Sequence, residues 1–479
     1  MTLPADAPRW ALEIDNPYLH GVHAPTVQES TADDLPVAGE LPADLCGGFL
    51  RNGPNSVLPP KNLYHWFDGD GMVHAVYFRD GRASYRSRFV PTVALADEQQ
   101  AGHALWPGVM GPFDFDAPRH YLKDTANTDV LFHQGHLYAL WYLCGAPYRL
   151  DPQTLESRGI DTSFDTTVSA HAKVDPRTGE LVWFTLGEFE PPFMTYGVVD
   201  AEGAHVHRVP IDLPGPRAPH DITITEQYTI LHDFPLFHDV DVLRSQGYRV
   251  TRFHRDLPSR FGVLPRRGDG DRVRWFEFEP GYVLHMVNAW EEGDWIVMDG
   301  CFQPDPTIRR DPEEGALASM LGYLRVRAHL HRWRMNLRTG ETREEPLDDL
   351  NVEFCLPDTN RYGQKTRYSY HHHLPEDMHT VDFRALVKYD HESGAATRYD
   401  YPDGWRGGES PFAPRQGAAD SEDDGYVLSM VTNVDTLASE CWVFAARDID
   451  RGPIARVALP ARVPTGFHAQ WIPGAQLWP

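Results

Sequence analysis

Four histidines occupy similar positions in otherwise apolar stretches of the chain. They are His171 in SAHAKVDPRTGE, His220 in APHDITIT, His285 in VLHMVNAWEEG and His468 in TGFHAQW. Each lies at the end of a segment that reads as a β-strand, where a buried imidazole without a partner is costly. One histidine among 24 is usually an ordinary core or surface residue. Only the recurrence of histidine in four similar settings therefore indicates a binding site. The pattern predicts one metal ion bound by all four rings.

The donor type limits the metal and suggests its chemistry. Four neutral imidazoles suit a first-row ion such as Fe(II), Zn(II) or Cu(II), and ligand softness does not choose among them. An octahedral ion would keep positions open for O2 beside a substrate. Carboxylates that accept hydrogen bonds from the rings would orient them. Glu353 in NVEF and Glu409 in GGESP are the candidates, although either one alone is more typical of a surface carboxylate.

The segments around these residues alternate between strands and tight turns. Asp80-Gly81, Gln134-Gly135 and Arg338-Thr339-Gly340 each separate two β-rich runs, and the chain contains 40 Pro and 39 Gly. Such units over 479 residues predict an all-β fold, and at this length a propeller rather than one sandwich. One helical stretch is predicted over residues 315–325. We predict an N-terminal extended strap over residues 1–40 and a single catalytic domain over residues 41–479.

The amino-acid composition limits the classes of binding partner and the cellular compartment that we expect. A formal charge of −25 argues against nucleic acid and against an anionic membrane surface. Five cysteines without a CxxC pair predict reduced, mostly buried thiols in a cytoplasmic protein. The N-terminal residues lack the basic and apolar regions of a signal peptide, and no apolar run is long enough to predict a transmembrane helix.

Ten short motifs occur in one fixed order from about residue 40 to the C-terminal region, and together they are similar to the carotenoid cleavage oxygenase family. The matching stretches are FLRNGPN (49–55), FDGDGM (67–72), TANTDV (125–130), LDPQTLES (150–157), SAHAKVDPRTGE (169–180), HDITIT (220–225), GVLPRR (262–267), HMVNAWEEG (285–293), GQKTRY (363–368) and GFHAQW (466–471). Any one of them is weak, whereas the ordered set is specific.

The resemblance implies a seven-bladed β-propeller with loops and a short helix forming a dome over an axial metal site. It implies Fe(II) bound by the four histidines, and oxidative cleavage of a conjugated C=C bond by O2 to give two carbonyl products. Thr128 matches a position that crowds the vacant coordination site. Phe67 matches an aromatic residue that lines the substrate tunnel in stilbene-cleaving members, and Glu353 and Glu409 match two of three carboxylates that hold the ligand rings.

The chain departs from the family pattern at the third carboxylate. It should fall within residues 140–145, where no acidic residue stands, so His220 is expected to lack its partner. Either a backbone carbonyl or Tyr142 replaces it, or iron binds more weakly. Phenol-binding members also carry a Tyr and a Lys, where this chain has Val109 and Trp141 or Tyr142. These differences suggest a less polar pocket.

Several alternatives stay open at this point. The substrate is an apocarotenoid or a smaller aryl alkene such as a stilbenoid or vinylphenol, and the charged segment 305–315 favours soluble substrates. The same iron site could instead serve isomerisation or hydrolysis, or the propeller could be a non-catalytic binding module. The oligomeric state is not determined by the sequence. Two further expectations concern other histidines: we predict that residues 371–373 form a solvated turn and that His238 is a surface residue.

Overall fold

The computed structural model describes residues 6–417 and 421–479, and short antiparallel strands dominate it. In chain order the strands are β1 (Ser30–Ala32), β2 (Val37–Gly39), β3 (Gly47–Pro54), β4 (Gly71–Arg79), β5 (Arg82–Phe89), β6 (Asp129–His133), β7 (His136–Leu140), β8 (Tyr148–Leu150), β9 (Ser157–Ile160), β10 (Lys173–Val174), β11 (Leu181–Leu186), β12 (Met194–Val199), β13 (His205–Ile211), β14 (Thr223–Ile224), β15 (Tyr228–Asp233), β16 (Leu236–His238), β17 (Thr251–Phe253), β18 (Ser259–Pro265), β19 (Arg274–Phe278), β20 (Tyr282–Glu292), β21 (Trp295–Gln303), β22 (His329–Asn336), β23 (Thr342–Pro346), β24 (Val352–Pro357), β25 (Tyr368–His373), β26 (Ala385–Asp390), β27 (Ala395–Asp400), β28 (Trp405–Arg406), β29 (Phe412–Pro414), β30 (Gly425–Asn433), β31 (Ser439–Ala445), β32 (Pro453–Ala458) and β33 (Ala469–Pro473).

Helices are short and lie in the connections. The α-helices are α1 (Arg9–Glu13), α2 (Val93–Ala101), α3 (Val240–Gln246), α4 (Ala318–Gly322) and α5 (Gly474–Leu477). Short 3₁₀ segments cover Pro17–Leu19, Gly21–His23, Trp66–Asp68, Thr162–Phe164, Gly270–Arg272, Pro312–Leu317, Thr359–Arg361 and Ile449–Arg451. The helical stretch predicted over residues 315–325 is therefore a 3₁₀ segment followed by α4, with a break where Gly315 has a φ of 55°.

The strands form seven blades, as the all-β propeller prediction requires. The blades are β33-β3-β4-β5-β1, β6-β7-β8-β9, β10-β11-β12-β13, β14-β15-β18-β19, β20-β21-β22-β23, β24-β25-β26-β27 and a last blade of β28 to β32 with β2. The remaining pair, β16-β17, is a hairpin inserted in the fourth blade. The C-terminal β33 pairs with β3 from near the N-terminus and so closes the ring.

The N-terminal segment ties two blades together. β1 extends the first blade through β5, whereas β2 extends the last blade through β32. Tyr18 and Leu19 are fully buried in a cluster that also contains Trp66, Met320 and Phe467. This cluster forms the core of the dome of loops above one end of the propeller. The predicted boundary at residue 40 stays a prediction.

In each blade one strand has a polar residue either among its first four positions or within the three residues before it. The seven pairs of residue and strand are Asp129 with β6, His171 with β10, His220 with β14, His285 with β20, Glu353 with β24, Glu409 with β29 and His468 with β33. Because the innermost strands of a propeller meet around its axis, residues far apart in the chain share one small volume.

The prediction of a solvated turn at residues 371–373 is wrong. These histidines end β25, the second of the four strands in its blade, and both His371 and His372 are buried. His371 Nε2 lies 2.8 Å from the Ser369 hydroxyl, and His372 Nε2 lies 3.1 Å from the Ser410 hydroxyl. Each hydroxyl pairs with one nitrogen of its ring, and both rings are buried, so these imidazoles are core residues.

Candidate metal centre

The four predicted histidines come together on the axis. Their ligand nitrogens all lie within 4.8 Å of one another. Nε2 of His171 lies 3.1 Å from Nε2 of His220, and the His171 ring centroid lies 4.5 Å from that of His468. The His285 and His468 centroids are 4.7 Å apart. These four residues are referred to below as the histidine cluster.

The separations fit a metal ion. Two imidazoles bound at about 2.1 Å place their nitrogens about 3.0 Å apart when adjacent and about 4.2 Å apart when opposite. The His171–His220 distance matches the adjacent case. Nε2 of His285 is buried and has no hydrogen-bond partner among the described residues. A buried imidazole lone pair such as that of His285 is costly unless a donor or a cation shares it, so the residues present fit a bound metal.

Burial sets the protonation of the rings. Burial lowers the pKa of His468 to about 3, and it lowers the pKa values of His171 and His220 well below the ordinary range. For His285, burial also opposes protonation, but the charge of Glu353 outweighs it and raises the pKa. Three rings are therefore neutral at physiological pH, which is the form that binds metals.

Two carboxylates orient two of the rings. Glu353 Oε2 accepts a hydrogen bond from His285 Nδ1 at 2.5 Å, and Glu409 Oε1 accepts one from His468 Nδ1 at 3.0 Å. Each of these Nδ1–H donors leaves the Nε2 lone pair of its ring free to face the axis. Both carboxylates are almost completely buried, and burial raises the pKa of Glu409 to about 8. A cation in the histidine cluster would favour their ionised forms.

His220 has no carboxylate partner. Its Nδ1 makes no hydrogen bond to any residue in the described ranges, and the Tyr142 ring centroid lies 6.3 Å from its own. Neither of the expected replacements, a backbone carbonyl or the Tyr142 hydroxyl, reaches the ring. A different carboxylate approaches another ring instead: Asp129 Oδ2 lies 3.8 Å from His171 Nδ1. The sequence reasoning missed Asp129, because only the blade geometry brings it to the axis.

Phe354 is a second residue near the centre that the sequence did not single out. Its ring stacks on His468 at a centroid distance of 5.2 Å and lies 5.1 Å from His285. The register of β24 against β25 shifts between Glu353 and Leu356, and Phe354 has a φ of 54°. A bulge of this kind re-aims side chains beside functional sites.

Thr128 adjoins a candidate ligand through its backbone. Its carbonyl accepts a hydrogen bond from the His468 amide at 3.2 Å. Its hydroxyl is engaged twice, because it donates to Asn127 Oδ1 at 3.0 Å and accepts from the Tyr142 amide at 3.1 Å. The predicted role of Thr128 in crowding the open coordination site stays a prediction.

Phe67 lies in the wall of a cavity of 1530 Å³ that begins at His220. Its ring packs on Tyr142 at 4.9 Å and on Tyr323 at 6.2 Å. The other three members of the histidine cluster line a separate cavity of 140 Å³. A metal held by the cluster would therefore meet the large cavity on the His220 side.

Known proteins resemble this chain over nearly its whole length. Residues 23–473 match the family described as retinal pigment epithelial membrane protein. A carotenoid 9,10(9',10')-cleavage dioxygenase of Crocus sativus is 35% identical over 96% of this chain and 90% of its own. The chain belongs to the carotenoid cleavage oxygenase family. It is an enzyme of this family, and it has the residues for a metal site.

Two bacterial relatives bear on the substrate class. An isoeugenol monooxygenase of Pseudomonas nitroreducens is 32% identical over 96% of this chain and 99% of its own. The crystal structure of a lignostilbene dioxygenase of Pseudomonas brassicacearum superposes with a TM-score of 0.85 at 27% identity, covering 99% of this chain and 100% of that one. Within the described part of this family member, no helix combines the length and apolar character needed to cross a bilayer.

The large cavity of this oxygenase is more polar than the sequence suggested. Val109, Trp141 and Tyr142 line it as expected, but so do Arg249 and Glu188. His238, predicted as a surface residue, also lines the cavity, and its side chain is only 10% exposed. That prediction is wrong because the inserted β16-β17 hairpin folds toward the cavity instead of into solvent.

Proposed function

We propose that this protein uses Fe(II), bound by His171, His220, His285 and His468, to cleave a conjugated C=C bond oxidatively with O2 into two carbonyl products. The observation that supports the proposal most strongly is the convergence of four imidazoles, one of which has a buried nitrogen with no hydrogen-bond partner among residues 6–417 and 421–479. Glu353 and Glu409 would hold two of the rings in the orientation that ligation requires.

Ferrous iron at this position would supply the activation of O2. The chain's own residues determine how the alkene meets it. Because His220 faces the large cavity, the substrate approaches from that side. Phe67 and Tyr142 present aromatic faces that hold a conjugated system and exclude water from it. Thr128 is proposed to restrict the space beside the ion, since it is hydrogen-bonded to the backbone of His468.

The cavity has room for a large substrate. Its 1530 Å³ exceeds the roughly 300–1,000 Å³ typical of small-molecule pockets, so its volume is sufficient for an apocarotenoid. A smaller aryl alkene is the second candidate, because the isoeugenol and lignostilbene enzymes are among the relatives that match nearly the full chain. The formal charge of −25 argues against nucleic acid as a partner.

We also propose a cytoplasmic location. All five cysteines are free thiols, and four of them are buried. Unpaired thiols are typical of a reducing compartment.

The test is turnover by protein reconstituted with Fe(II). Apocarotenals, stilbenes and vinylphenols are supplied in air while O2 uptake is recorded and carbonyl products are identified by mass. His171→Ala and His468→Ala should abolish both iron retention and O2 uptake, whereas His103→Ala, at an exposed histidine outside the cluster, should change neither. Product formation without O2 consumption would favour isomerisation or hydrolysis. Full iron content and activity in either cluster variant would refute the ligand assignment.

A further inference from the structure

A partly buried ion-pair cluster forms part of the wall of the large cavity. Glu188, in the loop between β11 and β12, accepts a hydrogen bond from Arg249 Nε at 3.1 Å. His238 Nε2 lies 2.8 Å from the same carboxylate, and the Tyr121 hydroxyl donates to it. Arg249 Nη2 in turn donates to the Tyr121 oxygen at 2.6 Å. These four residues are called the Arg249 cluster below.

The contacts fix the guanidinium but do not use all of its donors. Nε and Nη2 are bound by Glu188 and Tyr121, whereas Nη1 makes no hydrogen bond to any residue within 6–417 or 421–479. The Arg249 side chain is 19% exposed, and it lines the cavity. A rigid guanidinium with one unused amino group is suited to recognise an oxygen acceptor, because its planar fork is already oriented.

Packed aromatic residues connect the Arg249 cluster to the histidine cluster. The Arg249 guanidinium lies over the Tyr121 ring at 5.6 Å, and Tyr121 belongs to the same hydrophobic cluster as Tyr142. Tyr142 in turn packs on Phe67 at 4.9 Å and lies 6.3 Å from the His220 ring. A ligand that occupies this aromatic region can therefore extend one end to Arg249.

The charge balance identifies the acceptor. Glu188 already neutralises Arg249, and although burial opposes its ionisation, the contacts with His238 and Arg249 lower its pKa to about 2. The carboxylate is thus ionised at any physiological pH. A ligand carboxylate would bring a second negative charge to an arginine that is already paired, whereas a neutral oxygen would not.

We propose that Arg249 determines substrate specificity by donating a hydrogen bond from Nη1 to a neutral oxygen at one end of the alkene substrate. The chemistry is that of a carbonyl or a phenol on an otherwise apolar conjugated chain. This inference rests on the proposed function, because it assigns the substrate class of the same site. Arg249 touches the end of the substrate and takes no part in bond cleavage.

The experiment measures binding without turnover. Iron-loaded protein is titrated under anaerobic conditions with two matched pairs of ligands, following the quenching of tryptophan fluorescence. One pair is an apocarotenal and the hydrocarbon of equal length, and the other is 4-hydroxystilbene and stilbene. Arg249→Met should weaken binding of the oxygenated member of one pair at least about tenfold and leave its oxygen-free partner unchanged, because a hydrogen bond to a charged donor is lost.

Two further variants separate recognition from folding. Arg249→Met combined with Glu188→Gln removes both charges, so that no unpaired carboxylate is left buried, and it should show the same discrimination. Arg255→Met, which removes an exposed arginine paired with Asp305, should leave all affinities unchanged. The pair that responds to Arg249→Met tells whether the oxygen is a polyene carbonyl or a phenol.

Equal changes for both members of both pairs, or no change in either, would overturn the proposal. Binding of the apocarotenoid acid as tightly as the apocarotenal would overturn the preference for a neutral acceptor. Because binding is measured without O2, the result is independent of the cleavage chemistry. Discrimination by Arg249 together with absent O2 uptake in air would refute the proposed dioxygenase reaction and leave this inference intact.

Discussion

Replacing Glu353 by Gln is expected to weaken metal binding while leaving the propeller folded. Glu353 Oε2 accepts hydrogen bonds from His285 Nδ1 at 2.5 Å and from the Phe354 amide at 2.7 Å. A glutamine of the same shape can accept both hydrogens through its carbonyl oxygen. The bulge at Phe354 therefore keeps its anchor, and the change removes chiefly the negative charge that polarises His285.

The size of the effect follows from the role of that charge. Carboxylate partners of ligating histidines contribute about 10- to 100-fold in metal affinity, which is about 1.4 to 2.8 kcal/mol. We expect the Fe(II) dissociation constant of Glu353→Gln to rise by a factor in this range. The other oxygen, Oε1, is buried and has no hydrogen-bond partner in the part of the chain that the structure describes, so the new amide group also costs about 1–3 kcal/mol of folding stability. This second cost appears in the unfolding temperature of the metal-free protein.

The assay is an anaerobic competition titration of Fe(II) between the protein and a chelator of known affinity. Glu344→Gln is the matched control, because Glu344 accepts from His331 at 3.2 Å in a histidine–carboxylate pair outside the histidine cluster. Its iron affinity should equal that of the unmodified protein. An unchanged dissociation constant in Glu353→Gln would show that His285 is not a ligand or that its carboxylate does not tune it.

Two further changes test the missing carboxylate and the Arg249 cluster. Tyr142→Glu should tighten iron binding by about tenfold in the same titration, because it places a carboxylate beside the unpartnered His220 ring; unchanged or weaker binding would contradict this explanation. Glu188→Gln should flatten the acid dependence of stability. The pKa of Glu188 is lowered from an ordinary 4.5 to about 2, so its ionised form stabilises the fold above pH 4.5 and this contribution is lost as the pH falls toward 2. Urea unfolding should show the unmodified protein losing about 2 kcal/mol more than the variant between about pH 5.5 and about pH 3, and equal losses would contradict the prediction.

The histidine cluster was the most predictable part of the molecule from sequence. Apolar surroundings identified its members, because an unpartnered buried imidazole is costly. The structure places His171, His220 and His468 just before a strand and His285 among the first residues of one, instead of at strand ends as predicted, and the propeller brings these strand starts around one axis. The two carboxylates beside the histidine rings could not be predicted from local sequence in the same way. Glu353 and Glu409 could be singled out only through the family resemblance, since neither has a local pattern that distinguishes it from a surface acid.

What the sequence could not show depends on contacts between blades or between loops. His371 looked like part of a polar turn because the serine hydroxyl that satisfies it was not recognised as a core partner. Asp129 begins β6 after an irregular segment, and it comes within 3.8 Å of His171 only because the blades bring the two residues together. Glu188 and Arg249 are 61 residues apart, and no periodicity of strand or helix relates them.

The metal centre and the proposed recognition site are built from different classes of element, and this division has a consequence for specificity. The histidines lie at the starts of inner strands, whose positions are fixed by pairing within blades and by closure of β33 on β3. Glu188 and Arg249 lie in connections, which can change in length without moving the strands. If a terminal oxygen is held at Arg249, the bond nearest the metal is determined by the number of carbon atoms between that oxygen and the metal centre. Changes in these two loops would then move the position of cleavage along the chain of the substrate, while the chemistry at the axis stayed the same.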